Sequence, residues 1–171
     1  MSEILTQSIG ILGAACSIVS YQFKDNRKYF VLQALCGLCF GVHYWLLGAY
    51  TGSILDFICL IRGFGYAVER NRKPYFTLIL SCSLILAATA LTYDGYLSLL
   101  PCAALLTSSV GMFTGRPTGM RILQFTVVSP GWLIYNICTF SIGGILCEAF
   151  NMLSILVYFI RTKLLKKDIS A

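Results

Sequence analysis

Long stretches of apolar residues without any charge recur along this chain of 171 residues. Residues 78–91, 96–115 and 122–147 contain no Asp, Glu, Lys or Arg. A helix needs about 20 mostly apolar residues to cross a bilayer. Stretches of this kind predict seven spans, at 5–22, 29–48, 50–67, 75–92, 96–113, 121–139 and 141–161.

These spans use most of the chain, so 1–171 is predicted to form one all-α integral membrane domain. The first span is predicted to be a retained helix, because no basic segment precedes it as in a cleaved signal peptide. Composition agrees, with 57% apolar or aromatic residues and only 12% charged ones. Soluble domains carry about 25% charged residues, so a water-soluble class is excluded and a lipid bilayer is the expected surrounding.

The basic residues occur at every second link between the predicted spans. They follow span one, flank the link between spans three and four, lie between spans five and six, and end the chain. These groups are Lys24, Arg27 and Lys28; Arg62, Arg70, Arg72 and Lys73; Arg116 and Arg121; and Arg161, Lys163, Lys166 and Lys167, which together are all 13 Lys and Arg residues. By the positive-inside rule the N-terminus lies outside and the C-terminus in the cytoplasm. The net charge of +6 then reflects topology and the anionic inner leaflet, and no nucleic-acid partner is expected.

The two halves of the chain resemble each other at an offset of 91 residues. Ungapped identities join Ser17 to Ser108, Val19 to Val110, Leu32 and Gln33 to Leu123 and Gln124, Tyr44 to Tyr135, Gly52 to Gly143, and Ile54 and Leu55 to Ile145 and Leu146. Each half also has three spans, a basic first loop and a neutral second loop with glycine. The prediction is a 3 + 1 + 3 plan, with repeat one at 1–68, a linker helix at 75–92 and repeat two at 95–162. Units with an odd number of spans, joined by one linker span, have the same orientation in the membrane.

This plan resembles that of the SWEET and PQ-loop (MtN3-like) superfamily of small-solute carriers. Within it, "GVHYWLLGAYTG" at 41–52, "SIGG" at 141–144 followed by Glu148, and the chain length are similar to the YgjV-like bacterial inner membrane proteins. The resemblance implies a multi-pass protein of the bacterial inner (cytoplasmic) membrane and alternating access to one central site.

Two features of the superfamily can be compared residue by residue. Where PQ-loop proteins carry Pro-Gln, repeat one has Tyr21-Gln22 and repeat two has Met112-Phe113. SWEET-like carriers place an Asn of each third helix at the solute. Asn151 matches that position in repeat two, and its counterpart 91 residues earlier is Leu60.

Three ionisable residues lie inside predicted spans: His43, Asp56 and Glu148. Each costs about 2.5–3.5 kcal/mol to place in hydrocarbon, and such residues usually face the interior of a bundle. At 1.5 Å per residue, all three lie roughly 8–10 Å below the outer ends of their helices. The shared depth predicts one polar pocket between the repeats. Asp56 and Glu148 are near-equivalents offset by one residue, and a one-residue slip turns a side chain by about 100°, so they are not predicted to be strict symmetry mates.

The predicted solute-binding residues are His43, Tyr44, Trp45, Asp56, Tyr135, Asn136, Glu148 and Asn151. The acids would hydrogen-bond solute hydroxyls or amines, or exchange a proton during transport. His43 both donates and accepts near neutral pH, and the aromatic rings would stack on the solute. Alternatives stay open: His43 as a neutral bridge between helices, Asp56 as a water-exposed residue, and Trp45 and the tyrosines as an interfacial aromatic belt.

The leading functional hypothesis is a small-solute membrane carrier, and the alternative is a non-transporting receptor or partner-binding subunit on the same fold. An enzyme is not predicted, because one histidine and two dispersed acids give no nucleophile–base pair.

The eight cysteines fall within spans and are interpreted as small buried hydrophobes. Cys36-x-x-Cys39 has no second pair at ligand spacing, so no metal or cofactor is expected. The expected partners are a small solute and the bilayer, and a homo-oligomer is left open.

Overall fold

The computed structural model describes residues 3–20, 26–68, 75–114 and 116–169, and almost all of these residues are helical. The helices are α1 (Glu3–Ser20), α2 (Asn26–Leu46), α3 (Tyr50–Val68), α4 (Tyr75–Leu91), α5 (Leu99–Thr114), α6 (Pro117–Leu123), α7 (Ser129–Cys138) and α8 (Ile142–Ile169). A 3₁₀ turn, Tyr96–Ser98, leads into α5, and a π-helical segment, Gln124–Val128, joins α6 to α7. The described residues thus form seven helical rods, which confirms the all-α prediction.

Three of these rods are long and apolar enough to cross a membrane: Glu3–Ser20, Tyr96–Thr114 and Ile142–Thr162. Val31–Leu46 and Tyr75–Leu91 are apolar but shorter. The two remaining predicted spans, 50–67 and 121–139, are also helical. α3 contains the charged residues Asp56 and Arg62, and the rod over 117–138 contains the π-helical segment. Seven membrane crossings therefore stay a prediction for the chain as a whole.

The rods form a ring in which each packs on its neighbours along the chain and α8 packs on α1. α3 also contacts α5 directly, beside α4. α2, α4 and α7 end, and α3, α5 and α8 begin, at one end of the ring, which we name the neutral end because its links carry no basic residue. The opposite end is the basic end, since its helix termini flank the basic segments of the sequence.

Two links at the neutral end have the same backbone structure. Gly48 after α2 and Phe140 after α7 both have a positive φ, 75° and 55°. The amide of Ala49 donates to the carbonyl of Tyr44, and the amide of Ser141 donates to that of Asn136, each over 2.9 Å. Such six-to-one bonds close helix C-termini in the Schellman motif. The two links match at an offset of 92 residues, whereas the sequence identities have an offset of 91.

The π-helical segment explains this change of register. From Gln33 to the end of α2 there are 13 further residues, and from Gln124 to the end of α7 there are 14. The wider π turns contain the additional residue. Pro130 lies just after them, and because proline lacks an amide hydrogen and its ring crowds the preceding turn, it favours such a break in regular α-helix.

Candidate functional site

A cavity of about 540 Å³ occupies the centre of the ring. Its wall is built mainly from α2, α3, α5, the rod over 117–138, and α8. Tyr44, Asn136 and Gly144 line it toward the neutral end, and Met112 and Arg121 line it at the basic end. The cavity therefore extends through the ring from near one end to the other.

Five of the eight predicted solute-binding residues line this cavity: Tyr44, Asp56, Asn136, Glu148 and Asn151. The other three, His43, Trp45 and Tyr135, are outside its wall. Residues at one predicted depth therefore differ in whether they line the cavity, because helix rotation decides which side chains face it.

The two acids come from matching positions on two helices. Asp56 is the seventh residue of α3 and Glu148 is the seventh residue of α8. Both therefore lie about 9 Å along their helices from the neutral end. In the 92-residue register of the two links they occupy corresponding positions, without the one-residue offset that the 91-residue sequence register gives. The π-helical segment removes the slip.

The Glu148 carboxylate has two neighbouring polar side chains. The Asn151 amide donates to Glu148 Oε2 over 3.4 Å, and the Ser129 hydroxyl is the other polar side chain close to this carboxylate. The Asn151 amide lies 3.9 Å from Cys147 Sγ as well. A carboxylate held by neutral donors keeps free acceptor positions, which suits it to bind a donor group of a solute.

An aromatic stack forms the wall beside these acids. The Tyr44 ring lies between Phe40 and Trp132, with ring centroids 5.8 Å away on each side. The Tyr44 hydroxyl donates to Asn136 Oδ1 over 2.5 Å. Tyr44 and Asn136 are equivalents in the 92-residue register, so this hydrogen bond joins matched positions of the two halves. The stack offers a flat apolar face to anything in the cavity.

His43 is completely buried and connects three helices. Its Nδ1 lies 2.8 Å from the carbonyl oxygen of Thr6 in α1, and its Nε2 lies 2.8 Å from Ser141 Oγ at the start of α8. A carbonyl oxygen only accepts, so Nδ1 carries the proton and the Ser141 hydroxyl donates to Nε2. Gly10 packs against the imidazole, where a Cβ would come within 2.8 Å. The sequence hypothesis of a neutral bridge describes this geometry.

Tyr135 makes the reciprocal connection from the other half. Its hydroxyl accepts a hydrogen bond from the Gly52 amide at 3.0 Å and lies 3.4 Å from the Ala49 carbonyl oxygen. In the 92-residue register Tyr135 corresponds to His43, and Ala49 corresponds to Ser141. A side chain of each half therefore forms hydrogen bonds to the start of the other half's last helix.

Trp45 is 55% exposed on the outside of the ring, near the neutral end. Its ring packs edge-to-face on Tyr50, with centroids 5.1 Å apart. This is the position expected for an aromatic residue at a membrane interface, which was the alternative interpretation of Trp45.

Among the lining residues that were not predicted from the sequence, Trp132 and Arg62 contribute most to the character of the cavity wall. Trp132 could have been found from its spacing, because it precedes Asn136 by four residues and so shares its helix face. Arg62 was assigned to a loop in the count of basic residues, although it falls inside the predicted span 50–67. That assignment is wrong, and so is the loop assignment of Arg121, which lies in α6 with its guanidinium 4.0 Å from the centroid of Tyr158.

Hydrogen bonds between the two halves cluster at the neutral end. Besides the bonds of His43, Tyr44 and Tyr135, the Gln7 side chain donates to the Phe140 carbonyl at 2.9 Å and accepts from the Ile142 amide at 3.1 Å. At the basic end Gln33 and Gln124 line the cavity but bond within their own halves, to Ser20 and Ser129. The cavity is therefore bounded at the neutral end by several hydrogen bonds between the halves.

Among the described residues, no cluster of three or more His, Cys, Asp or Glu side chains is arranged to hold a metal ion. Three thiols, those of Cys36, Cys59 and Cys147, do line the cavity. They occur as free cysteines, and the wall they share with Asp56 and Glu148 makes them useful reporters of access.

Comparison with known proteins agrees with a membrane location. A family model described as a bacterial inner membrane protein, Imp-YgjV, matches residues 4–166. The inner membrane protein YgjV of Escherichia coli (strain K12) is 22% identical over 145 residues, which cover 84% of this chain and 76% of that protein. No solved structure shows significant similarity to the chain. The family match spans nearly the whole chain, and the chain therefore belongs to the YgjV family of bacterial inner membrane proteins.

Proposed function

We propose that this inner membrane protein is a small-solute carrier that exposes the central cavity to the two sides of the membrane in turn. The observation that carries the proposal is the placement of Asp56 and Glu148, at matching positions of matching helices, in the wall of one cavity. Carboxylates at membrane depth are costly and usually mark a solute or ion pathway.

The proposed architecture is two three-helix units, α1–α3 and α5–α8, joined by α4 as a linker. In its support, the first helix of each unit packs on the last helix of the other, α1 on α8 and α5 on α3. The identical links after α2 and α7 agree with it. Parallel repeats of this kind place solute between the halves in several transporter folds, as the resemblance to the SWEET and PQ-loop superfamily also implies.

The proposed state of the carrier is open toward the cytoplasm. The positive-inside rule puts the basic end at the cytoplasmic face, and among the described residues the hydrogen bonds between halves are more numerous at the neutral end. Transport would then require the His43, Tyr44 and Tyr135 bonds to break together while the halves close at the basic end. In the cavity, Asp56 and Glu148 would bind solute donors, and Tyr44 and Trp132 would contact its apolar face.

The test is solute uptake into liposomes that contain the purified full-length protein, with wild type and Glu148→Gln compared. Glu148→Gln keeps the size of the side chain but removes the charge, and we expect it to lower uptake by about 10-fold or more, since hydrogen bonds to charged groups contribute about 1.5–3 kcal/mol. The matched control is Glu3→Gln, the same change at an exposed residue outside the cavity, and it should transport like wild type.

Two outcomes would contradict the proposal in different ways. If no sugar, nucleoside, amino acid or vitamin enters faster than into empty liposomes, the protein is not a carrier of these solutes and the receptor alternative gains. If Glu148→Gln transports as well as wild type, carrier function stands and the assignment of the site is wrong.

A further inference from the structure

Arg62 is a buried cation in the cavity wall that the carrier proposal has not yet used. It lies in the interior of α3, is only 7% exposed, and lines the cavity together with Asp56. Its Nη1 donates to Ser108 Oγ at 2.7 Å, Ser109 Oγ at 2.9 Å and the Leu105 carbonyl at 3.3 Å. One side of the guanidinium is thus fixed to α5.

The other side of the guanidinium is poorly satisfied. Nη2 has only a 3.5 Å contact with Cys59 Sγ, and Nε, which is buried, has no hydrogen-bond partner. Nε and Nη2 form the edge of an arginine that binds a carboxylate or phosphate through two parallel hydrogen bonds. A buried donor without a partner is rare in native proteins and indicates a missing partner.

The acceptors of Arg62 are also all uncharged. Among the described residues, no carboxylate is bonded directly to this guanidinium. Asp56 is near enough to attract Arg62 electrostatically but does not occupy its Nε–Nη2 edge. Because arginine inside a membrane is usually paired with an anion, an oxyanion is the group that best fits this edge.

The charged residues of the cavity wall differ between the two halves of the chain. The acids occur twice, as Asp56 and Glu148 in matching positions, whereas the residue that corresponds to Arg62 in the second half is Ser154, which also lines the cavity. The Arg62 side chain leans toward the start of α3, as helical side chains do, and therefore toward the level of Asp56. One cationic site consequently lies beside two acidic ones.

We propose that the cavity binds zwitterionic solutes, with an oxyanion on the Nε–Nη2 edge of Arg62 and an ammonium group between Asp56 and Glu148. This inference rests on the proposed function only in treating the bound molecule as a transported solute, because binding itself can be measured without transport. A carboxylate or a phosphate would serve as the oxyanion, and the ammonium separates this class from sugars and from simple acids.

The first test is thermal unfolding of the purified full-length protein with a series of ligands matched in size: γ-aminobutyrate, butyrate, butylammonium and butanol. The 20 standard amino acids and phosphoethanolamine extend the zwitterionic arm and separate carboxylate from phosphate. We expect at least one zwitterion to raise the midpoint in a saturable manner, with compounds that carry one charge or none having little effect. A sugar that binds while every zwitterion fails would overturn the inference, and so would a complete lack of response to the zwitterions.

The second test is Arg62→Lys, which keeps the positive charge and removes the two-donor edge. Binding of the stabilising zwitterion should weaken by about 10- to 100-fold, the effect of one lost hydrogen bond to a charged group. Arg161→Lys, the same change at an exposed residue outside the cavity wall, should leave affinity unchanged. If Arg62→Lys folds and binds as tightly as wild type, Arg62 only joins α3 to α5.

Uptake into liposomes separates this inference from the carrier proposal. Stabilisation by a zwitterion without its uptake would retain the binding site and reject the carrier. Uptake of a neutral solute that no zwitterion competes with would retain the carrier and reject the zwitterionic site.

Discussion

The two ends of the helical ring differ in how the halves of the chain meet. At the neutral end, side chains of each half bond the first residues of the other half's last helix, as His43 does to Ser141 and Tyr135 to Gly52. At the basic end, the bonds between halves among the described residues include those from Arg62 and Tyr66 to α5. Within the described part of the chain, the neutral end is therefore the more extensively bonded joint between the halves.

This difference teaches how the joint is built. In the 92-residue register Tyr44 bonds to its own counterpart Asn136, and the His43–Ser141 bond is the counterpart of the Tyr135–Ala49 bond. A change at one position consequently affects the contact surface of both halves. Substitutions at the neutral end should cost much more stability than substitutions of similar size at the basic end or on the outer face.

The largest effect is expected for Gly143→Ala. A Cβ at residue 143 would lie 2.5 Å from the Gly10 carbonyl oxygen, which belongs to the backbone of α1. Because backbone cannot move aside as a side chain does, α1 and α8 must separate, and we expect the free energy of unfolding to fall by about 3 kcal/mol. Equilibrium unfolding in mixed micelles would measure it.

Gly63→Ala is the matched control, since an added Cβ there meets no atom within 4 Å. Replacing a helical glycine with alanine should then raise stability by about 0.5–1 kcal/mol. Equal effects of the two substitutions would refute the close joint between α1 and α8.

A smaller effect is expected for His43→Ala, which removes the bonds to Thr6 and Ser141 and leaves a void. The free energy of unfolding should fall by about 2–3 kcal/mol. Val42→Ala, at the adjacent, partly exposed position, should change it by about 0.5 kcal/mol. Ligand affinity of the folded His43→Ala protein should match that of wild type, because His43 does not line the cavity. Weaker binding at unchanged stability would instead make His43 a solute contact.

The smallest effect is expected at the basic end, for Arg121→Gln. This change removes the cation–π contact with Tyr158, which contributes about 0.5–1 kcal/mol at exposed sites. The same unfolding assay applies, with Arg116→Gln, at an exposed residue outside the cavity wall, as the control. A loss as large as that of Gly143→Ala would show that side-chain contacts at the basic end stabilise the fold as strongly as those at the neutral end.

The sequence predicts most of this architecture because apolar runs specify helices directly. Counting depth also brought His43, Asp56 and Glu148 to one level, since the rise of a helix is constant. The direction in which a side chain points is harder to predict, because it depends on how its helix is rotated in the bundle. His43, Tyr135 and Trp45 share that level but face a joint or the outside of the ring.

Arg62 shows a different limit. Basic residues near the ends of predicted spans usually lie in loops. Arg62 was therefore counted with the cytoplasmic basic residues, and that count gave no sign that its side chain lies inside the bundle. Only the contacts with Leu105, Ser108 and Ser109 reveal that this side chain bends inward to a neighbouring helix. Partners on α5 more than 40 residues away cannot be read from the sequence around residue 62.

The π-helical segment over Gln124–Val128 has a consequence for the history of the chain. If the halves descend from a duplicated gene, one added codon in the second copy would have turned every following residue by about 100° and removed Glu148 from its position opposite Asp56. Widening the helix over these residues absorbs the added codon before α7 begins. A single-codon insertion can in this way persist in one copy while the later helices of both copies keep their common frame.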